Sequence, residues 1–192
     1  NRVVLEGGPQ DSSAYVSLGS GLLSSIDGSA TVELWATQIS INNWSRIFDT
    51  GLNDGENLFM NWTSGSTLEN TRVEWKTSID TANYDSTTHA YTLNTEFHIV
   101  MVIQPGAGTD GSTLVTWYAA PSSSEEIGDP LGYFETENTL NNLNDTNFWL
   151  GRSHYTADST ANAAYNEVRI WQGALSPTEL DALQISGPDA EL

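Results

Sequence analysis

Cysteine is absent, so neither a disulfide framework nor thiolate chemistry is open to this chain. Basic residues are scarce: six Lys and Arg stand against 25 Asp and Glu, a net charge of -19 over 192 residues. So little positive charge leaves no basic patch for nucleic acid or an anionic membrane surface. No apolar run approaches the roughly 20 residues of a membrane-spanning helix, so no membrane insertion is expected. The histidines His89, His98 and His154 are scattered without zinc-type spacing. No solenoid-period repeat and no nucleophile-elbow motif is present.

What is abundant is turn-forming Ser, Thr, Asn, Asp and Gly, interleaved with seven Trp and seven Tyr. That mixture suits an extracellular β-protein. Alternation marks the strands. In 31–39, Val32, Leu34 and Ala36 take one face and Glu33, Trp35 and Thr37 the other. In 72–77, Val73 and Trp75 alternate with Arg72, Glu74 and Lys76. Phe97 to Ile103 is apolar on both faces, which predicts a central strand. Asn53-Asp54-Gly55-Glu56-Asn57 is a strong turn between two strands. Residues 78–88 are polar and are expected to loop, and Asn138 to Asn147 is too polar to be expected in the interior.

The most informative stretch lies near the end. In Tyr165-Asn166-Glu167-Val168-Arg169-Ile170-Trp171, Val168 and Ile170 are expected to face the core. Glu167 and Arg169 then pair on the opposite face, with Tyr165 and Trp171 on their side. Ser176-Pro177-Thr178-Glu179 follows as a capping box with Pro at the first helical position, and Leu175 can staple onto Leu180. About a dozen short strands and one helix predict an all-β, two-sheet antiparallel jelly-roll sandwich with one short C-terminal helix. Its expected span is 1–185, with 186–192 as linker. The opening Asn1-Arg2-Val3-Val4 reads as the interior of a longer chain, so a module of a larger multidomain protein is expected.

The segment Asn166-Glu167-Val168-Arg169-Ile170-Trp171, with Ala174-Leu175-Ser176-Pro177 and Glu179-Leu180, resembles the closing strand and helix of laminin-G-like domains. These belong to the concanavalin A-like jelly-roll superfamily. Val32-Glu33-Leu34-Trp35, Ser45 to Asp49, Phe97 to Val102 and Trp149 to Ser153 follow the family's order upstream. The resemblance implies a secreted or cell-surface domain that binds polysaccharide or glycan, lectin-like. It also implies that Asp49, Arg152, His154 and Tyr155 reach one rim.

Flat aromatic faces for sugar C–H patches are offered by Trp35, Trp62 and Trp75, all in strands. Trp35, alternating with Glu33 away from Val32 and Leu34, is expected on the exposed concave face. The side of Trp62 stays open between that of Val73 and that of Glu74, and Trp117, Trp149 and Trp171 are assigned to packing. Calcium is a candidate cofactor, structural or bridging to ligand. Asp54, Glu56 and Asn57 resemble a pentraxin calcium loop, and Glu6, Asp11 and Asn166 match by analogy a structural site of related jelly rolls. The strand pattern Glu-x-Asp-x-x-Glu of jelly-roll glycoside hydrolases is missing, so no catalysis is expected. A protein-binding or structural adhesin domain, and a hydrolase or lyase of the same fold, stay open as alternatives.

Overall fold

A computed structural model describes residues 2–68, 70–87 and 91–189, which leaves His89 outside the described residues. Two six-stranded antiparallel sheets face each other. The first runs, in spatial order, β1 (Val3–Pro9), β12 (Ser159–Gln172), β3 (Ala30–Ser40), β8 (Glu96–Gln104), β9 (Thr113–Pro121) and β10 (Gly132–Thr136). The second runs β2 (Val16–Gly19), β11 (Asn147–Leu150), β4 (Arg46–Asn53), β5 (Glu56–Asn61), β6 (Thr71–Lys76) and β7 (Thr81–Ser86). The expected jelly-roll sandwich is therefore the observed one. The helix α1 (Pro177–Ser186) follows β12. Among the described residues no helix is long and apolar enough to cross a membrane.

Period-two alternation builds the core. Val32, Leu34 and Ala36 of β3 meet Leu58 and Met60 of β5 and Val73 and Trp75 of β6, all buried between the sheets. As expected, β8 lies inside its sheet, with Ile99, Met101 and Ile103 inward and Val100 and Val102 outward, both faces buried.

Three local expectations change. Within 78–88 the chain forms β7, where Ala82 and Tyr84 pack inward and Tyr84 meets Trp117 at 5.0 Å. Its other residues are polar because β7 is an edge strand with one wet face. In the Asn-rich stretch Asn138, Leu140, Leu143 and Asp145 are buried. The Asp145 carboxylate accepts the Leu23 and Ser24 N–H groups, so the loop plugs one end of the sandwich. Finally, a bulge between Tyr165 and Glu167 places Tyr165 in the core with Val168 and Ile170, not beside Glu167.

The outer face of the first sheet is closed. The capping box between Ser176 and Glu179 forms, and Leu180 docks α1 against Val100, Val102, Tyr118 and Ala120. Beside the helix lies buried Glu33. Its carboxylate accepts the indole N–H groups of Trp35 (3.2 Å) and Trp171 (2.8 Å) and the Arg169 guanidinium (3.1 Å). His98 faces the same carboxylate at 3.3 Å and stacks flat on Trp35, while its Nδ1 meets Gln184 of α1 at 3.0 Å. Arg169 also pairs with Glu167 and reaches the Pro188 carbonyl. Residue 186 therefore ends the helix, and residue 188 still touches the sheet.

Burial pushes the Glu33 carboxyl up, but the hydrogen bonds from His98 and the two indoles outweigh it and hold the pKa below the ordinary 4.5. A depressed folded-state pKa contributes stability that is complete above the unfolded value and lost as pH falls through the folded one. Glu33→Gln should cost about 3 kcal/mol at neutral pH, because it leaves the buried Arg169 guanidinium short of an anion. Below pH 4.5 its melting temperature should fall less steeply than that of the unaltered protein, as read by circular dichroism.

Candidate functional site

The outer face of the second sheet carries no helix. Its strands present Trp149 on β11, Asp49 on β4, Phe59 on β5 and Glu74 on β6 as register partners, so these form one row across the sheet. Arg46, Asn57, Arg72 and Lys76 share this face, because their neighbours Leu58, Val73 and Trp75 point into the core.

Asp49 is the hub of the row and is 0% exposed. One carboxylate oxygen accepts His154 Nδ1 (2.8 Å) and the Asn57 amide (3.3 Å). The other accepts the His154 backbone N–H (3.0 Å) and Arg46 Nε (3.4 Å). The two His154 bonds tie the loop 151–158 down onto β4. Arg46 lies 3.9 Å above the Phe59 ring centre and donates to the Trp44 carbonyl (2.7 Å) and Asp158 (2.8 Å).

Above this floor opens a cavity of about 170 Å³, lined by Trp44, Arg46, Phe59, Arg72, Glu74, Tyr155 and Asp158. Arg72 grips Asp85 with Nε and Nη2, both at 2.7 Å, and Glu74 with Nη1 at 3.1 Å; the Asp85 pairing raises its pKa. The Tyr155 hydroxyl donates to Glu74 at 3.4 Å. Burial, then the Glu74 charge, push this phenol up to about 12, so it stays protonated at neutral pH. Burial also lifts the Asp158 carboxyl above its ordinary value, against the pull of Arg46. The arrangement is two aromatic faces, Trp44 and Tyr155, beside carboxylate–guanidinium pairs whose oxygens and N–H groups point into one hollow.

Trp44 carries backbone strain here. Its φ of 53° lies in the left-handed region that bulky residues avoid. Its ring stands 5.5 Å from the Arg72 guanidinium.

Of the residues predicted to bind ligand, Asp49, Arg152, His154 and Tyr155 do gather on this face. Tyr155 lines the cavity, Asp49 and His154 hold its wall, and Arg152, at the start of the loop, lies over Tyr15 and Trp149. The three tryptophans do not join them: Trp35, Trp62 and Trp75 are each 0% exposed. Trp62 and Trp75 share the inward alternation of Met60 and Val73 and fill the core. Trp35 does point away from the core, but that face is sealed beneath the Glu33 network. On this face the tryptophans that reach solvent are Trp44 and Trp149, neither proposed from sequence. Trp149 alternates with core residues Phe148 and Leu150, a signal that was available; Trp44 precedes its strand, where alternation is silent.

The calcium candidates do not assemble. Asn57 turns its amide to Asp49, the Asp54 carbonyl takes Lys76 Nζ (3.1 Å), and Glu56 opens β5 opposite Asn53. Asn166 donates to Glu96, Glu6 pairs opposite Asn162, and Asp11 meets only Ser12. Among the described residues no group of three or more His, Asp or Glu could hold a metal ion. These donor sets do not fit calcium, which wants six to eight converging oxygens.

No family model and no curated protein matches the chain. Solved structures do. CBM40 of the Ruminococcus gnavus IT-sialidase, bound to α2,3-sialyllactose, superposes with a TM-score of 0.63 at 11% identity, over 92% of this chain and 96% of that one. Domain 4 of AbnA, an extracellular arabinanase from Geobacillus stearothermophilus, in complex with arabinotriose, gives 0.64 at 16% identity, over 88% and 72%. A pentraxin of Limulus polyphemus gives 0.62 at 12% identity, over 99% and 84%. They share one sandwich fold. At these identities the likeness is one of architecture.

Two outcomes follow. Trp44→Gly should be more stable than Trp44→Ala by about 1 kcal/mol in urea unfolding, because only glycine relaxes the left-handed backbone. Melting temperatures in chelator and in millimolar calcium should coincide, because the six candidate residues do not converge on one point and a ligand stabilises only through a site it binds.

Proposed function

We propose that this chain is a non-catalytic carbohydrate-binding module, laminin-G-like in family, of a larger secreted or cell-surface protein. Its ligand is a polysaccharide or glycan, and the sugar sits in the cavity beneath Trp44 and Tyr155. One observation carries the reading: a single open hollow combines aromatic faces with paired carboxylates and guanidiniums. Sugar rings need both features. Their C–H patches cover aromatic faces, and adjacent hydroxyls bridge planar polar groups two at a time. Support comes from two of the similar sandwiches, which hold sialyllactose and arabinotriose.

Each polar group has a part. Glu74 and Asp158 accept from sugar hydroxyls, Arg72 donates, and the protonated Tyr155 hydroxyl does either. Arg46 is 1% exposed and fully engaged, so it shapes the floor and does not touch ligand.

The test is affinity electrophoresis and a glycan array, followed by calorimetry on the glycans retained. Trp44→Ala and Glu74→Ala should each weaken binding at least tenfold, the loss of a buried aromatic face or of a charged hydrogen-bonding partner. Incubated oligosaccharides should keep their chain length. Retention on glycan by both variants, or release of reducing ends, overturns the reading.

A further inference from the structure

Arg152 is treated differently from the other arginines of the folded layers. Arg46, Arg72 and Arg169 each pair with at least one carboxylate. Arg152 makes no ion pair among the described residues, although the chain has 25 acidic residues to choose from. Its guanidinium lies 4.4 Å from the Tyr15 ring centre and 5.0 Å from that of Trp149, which leaves it cationic and held in place. Its one hydrogen bond is a long one, Nη2 to the Gln10 side-chain oxygen at 3.5 Å. Its Nε is buried without a partner, and so is Nε2 of His154, which stacks on Trp149 at 4.3 Å.

A buried donor left unmade is costly, so the Arg152 Nε–H is owed a partner. The surroundings fix its character. Tyr15 is 37% exposed, and Trp149 and Arg152 are partly exposed, so flat aromatic surface adjoins a half-buried guanidinium. The fork of a guanidinium matches a carboxylate. We infer that Tyr15, Trp149 and Arg152 form a second subsite, which takes a sugar residue bearing a carboxylate. The ring covers the aromatic surface and the carboxylate meets Arg152.

Position supports a second subsite on the same ligand face. Trp149 and Glu74 stand three strands apart in one row, about 14 Å at the usual strand spacing. The loop 151–158 rises between them. The cavity's guanidiniums are already committed to carboxylates, so an acidic residue is better received at Arg152, and an uncharged one in the cavity. This division of labour rests on the glycan-binding reading, while the subsite itself can be tested alone.

The experiment titrates the full chain with sodium glucuronate and, separately, with glucose, following the Arg152 Nε–H and Trp149 indole N–H signals by NMR. Glucuronate should move both signals, and glucose should leave Arg152 Nε–H in place. Raising NaCl from 20 to 500 mM should weaken glucuronate binding several-fold, as expected for a partly exposed charge pair. Arg152→Gln should weaken it about tenfold or more, and Arg152→Lys, which keeps the charge but loses the fork, by less. Trp44→Ala should leave it unchanged. Unmoved Arg152 and Trp149 signals at 50 mM glucuronate, or equal shifts with glucose, overturn the subsite. Because those readouts use the unaltered protein, a poorly folded variant does not decide the matter. Loss of oligosaccharide binding on Trp44→Ala with glucuronate binding intact separates the fate of the cavity from that of the subsite.

Discussion

The buried carboxylate of Asp49 is the constraint on which the open face of the second sheet depends. An unpaired anion in a sandwich layer would be prohibitively costly, and the fold answers with donors from three directions. Asn57 comes from the adjacent strand, Arg46 from the start of its own, and His154 from the loop after β11. Satisfying that one charge therefore fixes the loop, and the loop carries Tyr155 and Asp158 to the rim. Arg46, drawn in by Asp49, then anchors both the Trp44 carbonyl and Asp158. A site built this way is held by the electrostatics of its foundation and less by the contacts of its lining.

Glu33 is the counterpart on the other sheet, and the comparison explains why the two faces differ. Both are acids on outward positions of inner strands, and both are surrounded by a histidine, an arginine and aromatic rings. Around Glu33 the ring of partners includes Gln184 of α1 through His98, so the network ends in a docked helix. Around Asp49 it ends in a loop that leaves a hollow beside it. The first charge closes a surface and the second opens one.

Much of the fold was legible in the sequence. Alternation in β3, β6 and β12, the doubly apolar β8 and the capping box of α1 each carried a local physical rule that tertiary structure respected. The bulge at Tyr165 was not legible, since one extra residue leaves no mark on a hydrophobic pattern. The site was half legible. Asp49, His154 and Tyr155 were placed together by strand order, but the tryptophans were not available to ligand. Trp62 and Trp75 follow the inward alternation of Met60 and Val73, and for Trp35 alternation tells which side it faces and not what covers that side. Trp35 shows this most plainly: its predicted face was right, and a helix more than a hundred residues later occupies it.

The commitment of Arg72 to Asp85 and Glu74 shapes what the hollow can achieve energetically. A ligand oxygen that approaches this guanidinium must compete with an oxygen already there. Such a swap conserves the number of hydrogen bonds, so little net enthalpy is gained from it. What remains to favour the bound state is the contact on Trp44 and Tyr155, which is broad and weakly directional. Under the glycan-binding proposal, the polar rim then acts as a filter on stereochemistry rather than as a source of tightness, and single-site occupancy is short-lived.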